Sequence, residues 1–292
     1  MYESFKENRT IIYKPNSVFV LPYKFDNGSA VVYNNRLHIL GGITYSDGES
    51  LKHYSWDGNS WRSESTLPYN FYGGAIVVFN NEIHILGSEY DDTLRKNHYA
   101  WNGSSWRNVS TLPVTLYDGK SVIYSNKIHT FGFGSDANHN PYHYSFNGTS
   151  WQYESELKNG SLTLPFQRGI SEVLNNKIHI VAGSGEYTTW DGTSWQMINT
   201  HLIYDNGVPY SASCVYNGYI YILGGGFSGS AENNTYRKLQ KILSTTATTI
   251  SNILPCNFLN SSAVKYKDCL YCMGGHHNPK VLLNVSSLNM FV

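Results

Sequence analysis

The 292-residue chain is poor in charge. Only 14% of its residues are Asp, Glu, Lys or Arg, and 21 basic side chains balance 21 acidic ones. Without a basic excess there is no electrostatic footprint for nucleic acid or an anionic membrane surface, so neither is expected as a partner. Long apolar runs are missing as well. No stretch approaches the ~18 apolar residues of a membrane-spanning helix, so membrane insertion is not expected. The opening MYESFKENRT has no apolar core and no small-residue cleavage site, and no secretory signal is read there. Cysteine is scarce and clustered: Cys214, Cys256, Cys269 and Cys272 all fall late in the chain, where an extracellular disulfide framework would staple other parts too.

Aromatic residues are abundant instead. They reach 15%, led by 24 Tyr. Such side chains suit strands, and at loop tips they suit recognition of sugars or proteins.

The sequence is organised by a repeat. Residues 28–68 read GSAVVYNNRLHILGGITYSDGESLKHYSWDGNSWRSESTLP, and residues 74–113 repeat the pattern as GAIVVFNNEIHILGSEYDDTLRKNHYAWNGSSWRNVSTLP. One register position is held by His38, His84, His129, His179, Tyr221 and Tyr271, at separations of 46, 45, 50, 42 and 50 residues. Four short strands per unit at a period of about 40–50 residues are the signature of a β-propeller blade. The expected architecture is therefore a single all-β domain over 1–292, a six-bladed propeller with four antiparallel strands per blade. The blades are placed at 28–68, 74–113, 119–165, 169–209, 211–255 and 261–292. Residues 10–22 are expected to join the last blade and close the ring, which would leave few exposed edges. Whether they or the last three residues form its outermost strand stays open.

Within the first blade, strands a to d, from the axis outward, are expected at Ser29–Tyr33, Arg36–Leu40, Lys52–Trp56 and Trp61–Leu67. Asn34-Asn35 and Asp57-Gly58 supply the hairpin turns. The third strand of the fifth blade is read as Tyr236–Leu243.

The units resemble kelch repeats. The residues that carry this are Gly-Gly after the second strand (41–42, 224–225, 274–275) and the Tyr…Trp pairs Tyr54/Trp61, Tyr99/Trp106 and Tyr144/Trp151. The resemblance covers about nine tenths of the chain. Gly87-Ser88, Gly132-Phe133 and Ala182-Gly183 depart from the double glycine. The phrasing NNxIHILGG, WDGxSW and STLP is similar to kelch proteins of phages and AT-rich gut bacteria; with no secretory signal read, a cytoplasmic or virion-associated protein is expected.

Most of the memorable residues have a scaffold explanation. The repeated histidines are spread around the ring and cannot converge on one metal, so a hydrogen-bonded structural role is expected. The tryptophans are expected to pack blade on blade. Cys269 and Cys272 spell CxxC, but residues i and i+3 of a strand face opposite sides and would not grip one zinc. No metal, cofactor or catalytic residue is assigned.

Binding residues are expected on the face where the d–a and b–c loops emerge, because loops on a rigid scaffold carry recognition. The candidates are Tyr23, Asp26, Tyr45, Tyr69, Tyr72, Tyr90, Tyr117, Asp118, His276 and His277. Arg168 and Glu172 join them as a polar pair near the axial channel, since Glu172 stands where Val31 and Val77 stand and a buried carboxylate needs a partner. Phe25, Phe71, Leu116 and Phe166 hold one position and are expected to pack the crossover. Aromatic planes beside carboxylates and amides can hold a neutral sugar or a protein. The expected function is a non-catalytic binder of a glycan or protein partner, in a phage virion or host-adsorption component. The alternatives are a sugar-active kelch enzyme of the sialate-mutarotase kind and a purely architectural subunit.

Overall fold

The computed structural model describes residues 18–44, 48–49, 51–88, 93–116, 118–133, 141–159, 162–163, 169–199, 209–226, 239–243, 246–250, 254, 258–276 and 280–284. Among these, the strands assemble into six four-stranded antiparallel sheets and two small two-stranded hairpins. The innermost strands are Ser29–Tyr33, Ala75–Phe79, Lys120–Tyr124, Ile170–Leu174, Ala212–Tyr216 and Ser262–Tyr266. Each packs against the next, and Ser262–Tyr266 also lies beside Ser29–Tyr33.

Val18–Val20 pairs with Val281–Asn284 as the outermost strand of the last sheet, with Val18 opposite Leu283 and Val20 opposite Val281. The strand expected over 10–22 is thus Val18–Val20 within the described residues; 10–17 and 285–292 lie outside them. The fifth sheet's third strand is Leu239–Leu243, and 236–238 also lie outside. In the first sheet the outer strands are shorter than expected, His53–Trp56 and Trp61–Ser63.

The turns form for local reasons. Asn34 and Asn35 sit at φ 45° and 55°, Asn80 and Asn81 at 47° and 60°, and Asn175 and Asn176 at 50° and 55°. Two consecutive positive φ values make the tight hairpin whose twist matches its strands, and Asn accepts them cheaply. In the outer hairpin the Asp57 carboxylate accepts the backbone N–H groups of Asn59 and Ser60 at 2.8 and 2.9 Å, which holds it down at about 2.

The double glycine records a close approach between blades. Gly42 N–H donates to the Phe71 carbonyl of the next blade at 2.9 Å, and a Cβ on Gly41 (φ 66°) would lie 1.8 Å from that same oxygen. Gly225 and Gly275 repeat the bond to Phe258 and Phe25. Phe25, Phe71 and Leu116 are buried, as the packing role requires; Phe166 lies outside the described residues.

The core lies between the sheets. Trp101, Trp151 and Trp195 donate their indole N–H to Ser65, Ser110 and Ser155 of the preceding blade at 2.7–2.9 Å. The repeated histidines are buried and paired. Nδ1 of His38 lies 2.9 Å from Nε2 of His53, with the same arrangement at His84/His98 (2.8 Å) and His129/His143 (2.7 Å). In the fourth blade the Tyr187 hydroxyl takes the partner's place, 2.6 Å from His179. The next blade covers each of the first three pairs with an aromatic ring, Trp101 on His53, Phe146 on His98 and Trp190 on His143. Cys272 packs between the fifth and sixth sheets, whereas Cys269 packs toward the first, so the CxxC side chains do diverge.

Candidate functional site

The first strand of every blade begins, and the second ends, on one face of the molecule. The residue two positions before the first strand forms a single register position: Asn27, Gly73, Asp118, Arg168, Tyr210 and Asn260. Every described member is left-handed, with φ 54° at Asn27, 59° at Gly73, 49° at Asp118, 61° at Tyr210 and 57° at Asn260. Their backbones link from blade to blade: Asn260 N–H donates to Tyr210 O, Asn27 N–H to Asn260 O and Gly73 N–H to Asn27 O, at 2.9–3.0 Å. A left-handed residue turns its chain sharply, so this necklace rims an axial opening.

The opening is a cavity of about 60 Å³ lined by Asn27, Asp118, Lys120, Tyr210 and Asn260, with glycines and serines between them. Below it lies a channel of about 110 Å³ lined by serines, alanines, a glycine, Ile76, Ile170 and Lys120. Two amides, a carboxylate, an ammonium and a phenol ring therefore converge on one mouth. Such a set can donate to and accept from hydroxyl groups while offering a ring face.

Asp118 stands at the mouth. Asp26 and His276, far apart in sequence, meet with Oδ2 and Nδ1 3.1 Å apart; the buried carboxylate belongs to the first blade's entry loop and the half-exposed imidazole to the sixth blade. Glu172 is partly buried and accepts a hydrogen bond from Ser213 Oγ at 2.7 Å; burial pushes its carboxyl up to about 7, against the lowering by that bond. Its described partner is thus a serine of the next blade rather than Arg168, which lies outside the described residues.

Tyr23 and Tyr69 are corrected. Both are buried, and their hydroxyls donate to the carbonyls of Gly41 (2.8 Å) and Gly87 (2.9 Å). Their rings pack on Tyr54 and Tyr99, so they brace the loops from beneath. Tyr72 is half-buried, and its N–H reaches Ser88 Oγ at 3.4 Å. Tyr45, Tyr90, Tyr117 and His277 lie outside the described residues.

Sequence reasoning missed Asn27, Lys120, Tyr210 and Asn260 as a group. The signal was a column that varies in chemistry beside columns that repeat.

No protein-family model matches the chain, and no curated protein matches it. Among solved structures it is similar to one described as the structure of YjhT, with a TM-score of 0.73 at 13% identity, covering 91% of this chain and 95% of that one. The fold is a β-propeller. At this identity the likeness is one of fold alone. In a propeller arrangement the left-handed necklace rims the axis, and Lys120 lines both the mouth and the channel beneath it.

Proposed function

We propose that the protein is a six-bladed kelch-type propeller, its ring closed by the N-terminal strand, and that it is a non-catalytic binder of the hydroxylated end of a glycan at the axial mouth. One observation carries the reading. Tyr210, a bulky residue, is held at φ 61° on the rim, where Asn or Gly stands in three other blades. Such a conformation costs roughly 1–2 kcal/mol for a residue with a Cβ. Strain of this kind persists where the side chain is needed. A phenol ring beside Asp118, Lys120 and two amides supplies a stacking face and both hydrogen-bonding senses. The repeat phrasing fits adsorption to a host surface.

The test is a glycan array with the purified chain, followed by titration of the hits. Saturable binding lost in Asp118→Ala and weakened at least tenfold in Tyr210→Asn supports the reading. Binding that survives both variants overturns it, and capture of a host protein without glycan moves the function to protein recognition.

A second reading, a sugar-active enzyme, is favoured by Glu172, an acid poised at about 7 one hydrogen bond behind channel-lining Ser213. Anomer exchange followed by NMR distinguishes them: acceleration by the wild-type chain that vanishes in Glu172→Gln establishes catalysis.

A further inference from the structure

The channel beneath the mouth has a hydrogen-bonding sense of its own. Ser29 Oγ donates to the Gly74 carbonyl at 3.2 Å, and Ser262 Oγ to the Gly28 carbonyl at 2.9 Å. Ser213 Oγ donates to Glu172 at 2.7 Å. Ser121 Oγ lies 3.1 Å from Thr130 Oγ1, whose own proton goes to the Lys120 carbonyl at 3.4 Å, so Ser121 is the donor there. A hydroxyl has one proton and two lone pairs. With these four protons committed to the wall, the four oxygens can only accept from the channel.

Ser171 adds a fifth oxygen. It is 8% exposed, it lines the same cavity, and its Oγ has no hydrogen-bond partner among the described residues. A buried hydroxyl left unpaired is costly unless something in the cavity meets it. Among the described residues Lys120 is the one charged residue lining the channel, and an ammonium only donates.

An occupant must therefore give protons to serine oxygens and take one from a cation. A carboxylate can only accept, so although Lys120 attracts it, its lone pairs would face those of the four serine oxygens whose protons are already committed. An ammonium can only donate and meets the like charge of Lys120. A neutral hydroxyl does both. At ~30 Å³ per water the channel of about 110 Å³ holds about three or four waters, or a hydroxymethyl group with fewer.

We infer that the axial channel is a subsite for a neutral terminal hydroxyl, and that the hydroxymethyl group of a sugar seated at the mouth enters it, donating its one proton to a serine oxygen and accepting from Lys120, with water meeting the remaining oxygens. This rests on the reading of the mouth as a glycan site and names the chemistry that site takes: neutral sugars in preference to their uronic acids.

The experiment titrates matched pairs that differ only at that group, each hexose drawn from the glycan-array hits against its uronic acid. The proteins are wild type, Ser171→Val, Lys120→Met and Asp118→Ala, with circular dichroism and thermal melting to confirm folding. Ser171 has no described protein partner to lose, so its variant should fold. The expected result is that each uronic acid binds at least about tenfold more weakly than its hexose, and that Ser171→Val weakens the hexose by a similar factor. A uronic acid that binds as tightly as its hexose overturns the inference. So does Ser171→Val leaving hexose affinity unchanged while Asp118→Ala removes it, an outcome that keeps the mouth and discards the channel. Array hits without any hexose binding also discard the channel alone, whereas a blank array with folded protein overturns both readings.

Discussion

At the scale of the residue, two kinds of left-handed position separate scaffold from site. Gly41 must be glycine because the next blade's Phe71 carbonyl occupies the space of a Cβ. Gly218, at φ 76°, turns a hairpin with no atom within 4 Å of a built Cβ. Gly41→Ala should therefore lower unfolding free energy by about 3 kcal/mol or more, the sum of the conformational penalty and a backbone clash, while Gly218→Ala should lower it by only about 1–2 kcal/mol. Urea titration of the pair checks this; equal losses would mean that the close approach carries no weight. Tyr210 is the reverse case. Tyr210→Asn places there the residue that Asn27 and Asn260 already supply, and should raise stability by about 0.5–1 kcal/mol while weakening ligand binding. A variant that loses stability instead would show that the ring packs as part of the scaffold.

At the scale of the element, what was legible in the sequence was what repeats and what is local. The Asn-Asn turns, the Gly-Gly pairs and the indole anchors each follow from a few adjacent residues recurring at one register. The partners of the histidines were written there too, as the column His53, His98 and His143, but pairing across strands needs a register that spacing alone does not supply. The site was harder. Asp26 and His276 were both candidates, yet only the chain's return brings them to 3.1 Å. Tyr23 and Tyr69 misled because a tyrosine after Leu-Pro reads as a loop tip, whereas it folds back under the loop to reach a glycine carbonyl. The N-terminal strand joins through its flank. Leu21 is 2% exposed in the cluster between the last and first sheets, but Val20 is 71% exposed. Leu21→Ala should cost about 2–4 kcal/mol and Val20→Ala less than about 0.5 kcal/mol. Chemical denaturation reads both, and a silent Leu21→Ala would mean that this junction adds nothing to the fold.

At the scale of the whole molecule, the buried histidines set how stability responds to pH. Burial lowers His38, His84 and His129 to about 4, His53 and His98 to about 3, and His143 and His179 below their ordinary 6.5. The folded protein keeps these seven rings neutral where the unfolded chain protonates them. Their contribution is intact above pH 6.5 and is lost as pH falls toward 4. Each histidine held neutral removes up to about 1.4 kcal/mol per pH unit within that window. Glu172 acts in the opposite sense between pH 4.5 and about 7, since the folded state holds its proton longer, but it is one group against seven. Ordinary stability of about 5–15 kcal/mol would therefore be exhausted within about two pH units below 6. Melting temperature should be flat from pH 7 to 8 and fall steeply between 6 and 5, with several protons taken up on unfolding at pH 5.5. Replacing one pair, as in His84→Gln with His98→Gln, should reduce that uptake by up to two protons, and Glu172→Gln should raise stability above pH 7 by on the order of 1 kcal/mol. Calorimetry in buffers of different ionisation enthalpy counts the protons directly. An uptake of one or fewer would mean that the pairs admit protons in the folded state, and that the blades, rather than the imidazoles, set the acid limit of the ring.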